Sequence, residues 1–119
     1  MSNLTPAAIA QTLAGIGKDI DDLTARLVDA EGSALALRRE HRRAYALAVL
    51  NNKCGPDGKP YTVAERDAVA LLATQETLEA YELAQYAADS ARDELRAKRD
   101  RLEIGRSLSA LVRMEFGAS

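Results

Sequence analysis

The sequence predicts an all-α protein, a long antiparallel helical hairpin with coiled-coil packing that is completed by oligomerisation. Apolar residues recur at alternating steps of four and three, which keeps one stripe of a helix facing one way. Of the 119 residues, 47% are hydrophobic but only 4% are aromatic, and 29% are charged, which is typical of long helices. One Gly/Pro-rich segment divides the chain, and at this length we expect a single domain over residues 1–119.

The first helix is predicted over about residues 6–50. Thr5 is a candidate N-cap, and Pro6 suits the first helical position because its missing N–H costs nothing there. Three glycines are candidate break points, so a separate short helix over residues 6–16 is an alternative. These glycines are Gly15, Gly17 and Gly32. The predicted seam consists of Ile9, Leu13, Ile16, Ile20, Leu23, Leu27, Ala30, Ala34, Leu37, His41, Ala44 and Ala48.

A loop over residues 51–61 separates this helix from a second one, predicted over about residues 63–116 with a candidate kink at Gly105. Thr62 and Glu65 have the spacing of a capping box at its start. The seam of the second helix is predicted at Val69 or Leu71, Leu78, Tyr81, Ala84, Ala88, Ala91, Leu95 and Leu102. A further apolar face follows at Ile104, Leu108, Leu111, Val112 and Met114.

The two helices are charge-complementary when they are paired antiparallel around the loop, and such pairs favour one register. The first acidic run falls opposite the basic part of the second helix; the residues are Asp19, Asp21 and Asp22 against Arg92, Arg96 and Lys98. The arginines before the loop come beside residues 69–75, close to Glu65, Asp67, Glu76 and Glu79. A hairpin of two helices alone leaves much of each apolar stripe exposed to solvent. We therefore expect helices from other copies of the chain to cover these stripes.

Composition and charge exclude several classes of protein. A net charge of −2, from 16 basic and 18 acidic residues, excludes a strongly basic nucleic-acid module but leaves local basic patches open. Cys54 is the only cysteine, which excludes an internal disulfide and is consistent with a reducing compartment. Residues 1–5 lack the pattern of a signal peptide, and no stretch approaches about 18 uncharged apolar residues. We expect a soluble cytoplasmic protein without a cofactor or metal.

The strongest candidate site is a cluster of arginines before the loop. Within residues 38–43 four arginines accompany one carboxylate, and pairs of them lie one helical turn apart, which suits phosphate groups. The candidate nucleic-acid-binding residues are Arg38, Arg39, Arg42, Arg43 and Lys53. Lys59 would extend the patch, and Tyr45 and Tyr61 are candidates for stacking on bases. The alternative is a solvated charged face that is paired with the other helix.

The remaining candidates favour structural interpretations. The basic stretch over residues 92–101 alternates with acidic residues, as an exposed helix face does. His41 occupies a seam position without metal-ligand spacing, so a half-buried, hydrogen-bonded histidine is expected. Cys54 has no partner histidine or second cysteine, and residues 55–58 form a turn that lacks the pattern of a phosphate-cradling loop. No residue is a candidate for catalysis, so we predict that the protein is not an enzyme.

The order of these parts resembles the phage recombination-mediator proteins of the UvsY type. The features shared are the Asp57-Gly58 turn, Tyr61 before the second helix, and the tail containing Arg106-Ser107 and Arg113-Met114-Glu115-Phe116. The resemblance implies a ring-like homo-oligomer that binds single-stranded DNA and loads a RecA-like recombinase onto strands coated by single-strand-binding protein. It also implies oligomer contacts through Leu108, Leu111 and Met114. In this chain Leu47, Val49 and Leu50 follow Arg43, where the family carries positive charge closer to the loop.

Three functional hypotheses follow. The first is an oligomeric single-stranded-DNA-binding recombination mediator in the cytoplasm of a phage host. The second is a phage structural, scaffolding or adaptor coiled coil that does not bind nucleic acid. The third is a small inhibitor that acts on a host protein through an exposed helix face.

Overall fold

The computed structural model describes residues 5–118, and over that range the protein is all-α, as predicted. Its helices are α1 (Pro6–Asn51), α2 (Val63–Ala73) and α3 (Gln75–Ala118). Between α1 and α2, a single antiparallel bridge joins Cys54 to Pro60. The residues before Thr5, part of the segment without a signal-peptide pattern, lie outside the described range.

Helix α1 begins where the sequence predicts and runs without a break to Asn51. The backbone N–H of Ala8 donates a hydrogen bond of 3.1 Å to Thr5 Oγ1, so Thr5 caps the helix. The helix continues through all three glycines, and the alternative of a separate helix over residues 6–16 is wrong. The seam residues lie on the same side before and after each glycine. Their burial favours one continuous helix despite a cost of about 1 kcal/mol per glycine.

We expect Gly32→Ala to increase the free energy of unfolding by about 1 kcal/mol, because alanine loses less backbone entropy in a helix interior. Nothing lies within 4 Å of the position that a Cβ atom at Gly32 would occupy, so the methyl group meets no obstacle. Urea denaturation followed by circular dichroism measures the change. Gly58→Ala is the matched control and should destabilise, because Gly58 has φ +78°. A destabilised Gly32→Ala variant would contradict the prediction.

The second predicted helix is interrupted at Thr74, so the expectation of one helix from residue 63 to 116 is wrong at that position. Thr74 is buried, and its hydroxyl donates a hydrogen bond of 2.7 Å to the carbonyl oxygen of Ala70. Its backbone N–H is shared between the carbonyl oxygens of Ala70 and Leu71. Threonine hydroxyls that bond to the preceding turn bend helices. The interruption therefore has a local cause, while α3 continues through Gly105.

The chain divides into two compact units, each containing part of α1 and part of α3. The loop unit is Asp29–Ala88, and it includes α2. The terminal unit consists of the described residues of Met1–Val28 and Asp89–Ser119.

In the loop unit, α1 packs antiparallel against α2 and the start of α3. His41 Nδ1 lies 3.0 Å from Thr77 Oγ1, and the Tyr45 hydroxyl donates a hydrogen bond of 3.2 Å to Asp67. As the residue number rises along α1 from His41 to Tyr45, the residue contacted on the other helices falls from Thr77 to Asp67. The helices are therefore antiparallel. The buried side chains of this unit are small, and they are Ala34, Ala70, Thr74 and Ala88. Small side chains let the helices approach closely but contribute little buried apolar area.

In the terminal unit, the start of α1 packs antiparallel against the end of α3. Lys98 Nζ lies 3.3 Å from an Asp19 carboxylate oxygen, and an Arg26 guanidinium nitrogen lies 3.9 Å from a Glu94 carboxylate oxygen. The first of these pairs confirms that the acidic start of α1 faces the basic part of α3. The buried side chains here are larger, and they are Ile9, Leu23, Leu95 and Val112.

The predicted seams lie at the helix contacts of both units. All twelve predicted seam residues of α1 are buried or half-buried. Val69, rather than its alternative Leu71, belongs to the second seam, because Leu71 is 52% exposed. The other predicted seam residues of α3 are also buried or half-buried. None of the described helices has an apolar stretch that could cross a membrane.

Candidate nucleic-acid interface

The four arginines of the predicted site lie on the outer side of α1 in the loop unit. The seam residues Leu37, His41 and Ala44 face the other helices and are half-buried. At about 100° per residue, the arginines between them fall on the opposite half of the helix, and all four are exposed. We call this surface the arginine face; it consists of Arg38, Arg39, Arg42 and Arg43.

Within the described part of the chain, no residue of the arginine face forms an ion pair or a side-chain hydrogen bond. Three of the four carboxylates expected to neutralise it have other partners. Glu65 accepts a hydrogen bond of 3.2 Å from the backbone N–H of Thr62, and Asp67 accepts one from Tyr45. Glu79 accepts one of 3.3 Å from Gln75. The predicted pairing of these arginines with the second helix is therefore not found.

His41 holds the inner side of α1 against α3. The Thr77 hydroxyl donates to the carbonyl oxygen of Thr74 at 2.8 Å, so its oxygen is left to accept a hydrogen bond from His41 Nδ1. This assigns the imidazole hydrogen to Nδ1. The prediction of a half-buried, hydrogen-bonded histidine is confirmed. By fixing the rotation of α1, this contact turns the neighbouring arginines towards solvent.

Tyr45 lies beside the arginine face and is half-buried. Its ring centroid is 6.4 Å from that of His41, with the two rings tilted at 52°. Burial, then the hydrogen bond to Asp67 and the negative charge of that carboxylate, raise the pKa of the Tyr45 phenol above its ordinary value. The phenol therefore remains protonated and donates to Asp67, while the rest of the ring is partly available for stacking.

The loop after α1 presents the fifth candidate cation. Asn52 ends the helix, because its side-chain amide donates a hydrogen bond of 2.7 Å to the carbonyl oxygen of Ala48. The following Lys53 is exposed, and its carbonyl oxygen accepts a hydrogen bond of 2.9 Å from the Tyr61 N–H. Lys59 is also exposed. Lys53 thus lies ten residues after Arg43, on a loop whose backbone is closed by hydrogen bonds.

The tip of this loop is the turn that the sequence predicts. The N–H of Gly58 donates to the carbonyl oxygen of Gly55 at 2.9 Å, and Asp57 accepts a hydrogen bond of 3.1 Å from the Lys59 N–H. Gly58 has φ +78°, a conformation that favours glycine. Cys54 is exposed at the base of the turn. The capping box that begins α2 is also confirmed, with both reciprocal hydrogen bonds present.

Exposed apolar side chains accompany the arginine face on α1, and none of them was among the candidate site residues. Leu35, Leu47 and Leu50 are 47%, 47% and 61% exposed, and they belong to the same helix. In the sequence, the positions of these leucines outside the seam register indicate that they face away from the helix contacts. Because guanidinium groups contact phosphates and apolar side chains contact bases or sugars, this mixture suits a nucleic-acid strand better than a simple anion.

The second basic stretch differs from the arginine face because three of its five basic residues are paired. Arg92 lies 2.9 Å from Asp89, and Arg96 lies 4.0 Å from Asp93, each within one turn of α3. Lys98 pairs with Asp19 across the terminal unit. These contacts agree with the interpretation of this stretch as an exposed face of alternating charge.

The three residues predicted to form oligomer contacts are all exposed in the terminal unit. The exposed fractions are 38% for Leu108, 62% for Leu111 and 71% for Met114. Within the described residues, no group of three or more His, Cys, Asp or Glu side chains is placed to hold a metal ion. Comparisons of the chain with known protein families, with curated proteins and with solved structures give no match.

Proposed function

We propose that this protein is a non-enzymatic homo-oligomer that binds single-stranded DNA and assists a RecA-like recombinase as a recombination mediator. The observation that supports the proposal is the arginine face, four exposed arginines without an intramolecular carboxylate partner among the described residues. Like charges one turn apart destabilise a helix by a few tenths of a kcal/mol per pair. A bound polyanion would remove that repulsion.

A flexible single strand is the ligand that fits this surface best. The arginines project from a convex helix side, and single-stranded DNA can bend so that successive phosphates meet them. Lys53 would contact a further phosphate, and Tyr45 or Tyr61 would stack on a base. Because the whole chain has a net charge of −2, each subunit should bind weakly. Several copies in one oligomer would raise the affinity through multivalency.

The role as a mediator follows from the layout resemblance together with this mode of binding. Contacts made mostly to phosphates do not select a sequence, so the protein could bind wherever a strand is exposed. A multivalent, salt-sensitive contact can compete with single-strand-binding protein for short segments of the strand. This would leave a site on which the recombinase can nucleate.

We expect the binding constant for a labelled oligonucleotide to fall steeply as salt increases. Each phosphate neutralised on a single strand contributes about −0.7 to the slope of log K against log salt concentration. Five contacts, from the arginine face and Lys53, therefore predict a slope of roughly −3.5 per subunit. Fluorescence anisotropy at several salt concentrations measures it. Absence of binding at low salt would refute the proposal.

A second assay addresses the mediator role separately. Recombinase filament formation on DNA coated by single-strand-binding protein should become faster when this protein is added. Naked DNA is the matched control, because a mediator has little to contribute there. Binding without acceleration would support a DNA-binding protein of another kind.

The exposed apolar side chains of α3 favour the alternative of a phage structural, scaffolding or adaptor coiled coil that does not bind nucleic acid. Ile104, Leu111 and Met114 are each more than 60% exposed and would pack against a protein partner. In that case the protein would self-associate or capture a partner, and the anisotropy of the labelled oligonucleotide would not change at any salt concentration.

A further inference from the structure

Helix α3 carries a second heptad stripe near its end, in addition to the seam that packs within the terminal unit. The stripe follows the coiled-coil steps of three and four and consists of Arg101, Ile104, Leu108, Leu111 and Glu115. All five residues are exposed. Its three central residues are apolar, and its two ends carry opposite charges, positive at Arg101 and negative at Glu115.

This stripe does not face the intramolecular partner. Leu95 and Val112 are buried and Leu102 is half-buried, so these residues mark the side of α3 that packs against α1. Ile104 and Leu111 are 69% and 62% exposed on a different side of the same helix. A side chain of that size gains about 1.5–3 kcal/mol from full burial, so the stripe is a surface that another helix would stabilise.

The apolar surface extends from the stripe towards α1 through Leu108. This side chain lines a groove of about 210 Å³ whose other walls include Leu13, Ile16 and Gly105. Gly105 brings the two helices close together, because a Cβ atom there would lie 2.5 Å from a Leu13 methyl carbon. The groove would receive the edge of a helix that packs on the stripe.

We propose that the stripe packs against the same stripe of a second copy, with the two α3 helices antiparallel and a two-fold axis near Leu108. Arg101 precedes Leu108 by seven residues, and Glu115 follows it by seven. An antiparallel two-fold arrangement therefore places Arg101 of each copy beside Glu115 of the other. A parallel arrangement in register would place like charges together, which costs free energy.

The charges at the ends of the stripe are available for this contact. Within the described residues, neither Arg101 nor Glu115 forms an ion pair or a side-chain hydrogen bond. The same two-fold operation brings Ile104 of one copy against Leu111 of the other. Three apolar side chains per copy form a small interface, so we expect a dissociation constant in the micromolar range.

This inference rests on the proposed function only for the statement that the protein self-associates, and it uses no residue of the arginine face. Sedimentation velocity over a range of protein concentrations should show a monomer–dimer equilibrium. Ile104→Glu and Leu111→Glu should each raise the dissociation constant by at least about tenfold. In a two-fold dimer each substitution removes the same apolar contact from both halves of the interface. Leu83→Glu, which changes a leucine of α3 that is 71% exposed outside the stripe, should have no effect.

Charge reversal and cross-linking test the direction of the pairing. Arg101→Glu and Glu115→Arg should each weaken the dimer, and the two together should restore it. In a Cys54→Ser background, a mixture of Arg101→Cys and Glu115→Cys chains should form a mixed disulfide between the two variants. Predominant disulfides between identical variants would indicate parallel helices and overturn the proposal.

The outcomes for association and for DNA binding are separable. A protein that stays monomeric at every concentration but binds the oligonucleotide would overturn the dimer and leave the arginine face supported. A protein that dimerises as described but does not bind DNA would refute the proposed function and support the dimer. Loss of dimerisation in Leu83→Glu as well as in the stripe variants would show that the stripe is not the contact.

Discussion

Replacing both Arg42 and Arg43 with glutamate should lower the affinity for single-stranded DNA by at least about 100-fold at low salt. Each substitution removes a charge-assisted contact worth about 1.5–3 kcal/mol and adds a carboxylate that repels phosphate. Two lost contacts should also make the salt slope shallower by about 1.4. Anisotropy titrations of the variant and the unaltered protein measure both quantities.

The fold should survive this change, which separates a loss of binding from unfolding. Glutamate at position 42 comes four residues after Arg38 and would form a favourable pair in place of a repulsive one, worth a few tenths of a kcal/mol. We therefore expect the free energy of unfolding to be unchanged or slightly higher. A matched control with the same change in charge is Arg99→Glu with Arg106→Glu, two exposed arginines of α3 outside the proposed site. Equal loss of affinity in this control would contradict the site assignment.

Leu23→Ala should lower the free energy of unfolding by about 3 kcal/mol, because a buried leucine loses its contacts and leaves a cavity. Leu23 is only 2% exposed. It lies between Asp19 and Arg26, which form ion pairs with Lys98 and Glu94 of α3. The register of these pairs places Leu95, which is 3% exposed, at the same level of the terminal unit.

The matched control is Leu83→Ala, which removes the same atoms from a side chain that is 71% exposed. Its effect should stay within about 0.5 kcal/mol, since a surface leucine has little buried contact to lose. Urea denaturation monitored by circular dichroism compares the two variants. Similar stabilities for both would mean that Leu23 is not part of a folded core in solution.

The helices and their inward sides were predictable because the signals for them are local or periodic. The seam from Ile9 to Ala48 needs only a repeat of apolar positions, and every predicted seam residue of α1 is buried or half-buried. The capping box of Thr62 and Glu65 is formed by groups three residues apart, so its pattern is visible in the sequence. The turn at Gly58 is equally local.

The interruption at Thr74 was not predictable by the same reasoning. Threonine is tolerated within helices, and its hydroxyl bends a helix when it bonds to the preceding turn. Here Thr74 is buried, and its carbonyl oxygen also accepts a hydrogen bond from Thr77, which in turn bonds to His41 of α1. The hydrogen bond that bends the helix is local, but threonine forms it in only some helices, so the sequence alone does not place the break.

The helical fold, the seam residues and the positions of the caps could be predicted from the sequence, because periodicity and local hydrogen bonds act over a few residues. Which charges pair between the helices depends instead on how the helices pack. Asp67 lies at the right distance along the chain to meet the arginines, but it bonds to Tyr45 of α1. The partner of a long charged side chain depends on the rotation of each helix, which the packing of the inner residues sets. The same packing leaves the four arginines on the outer side of α1.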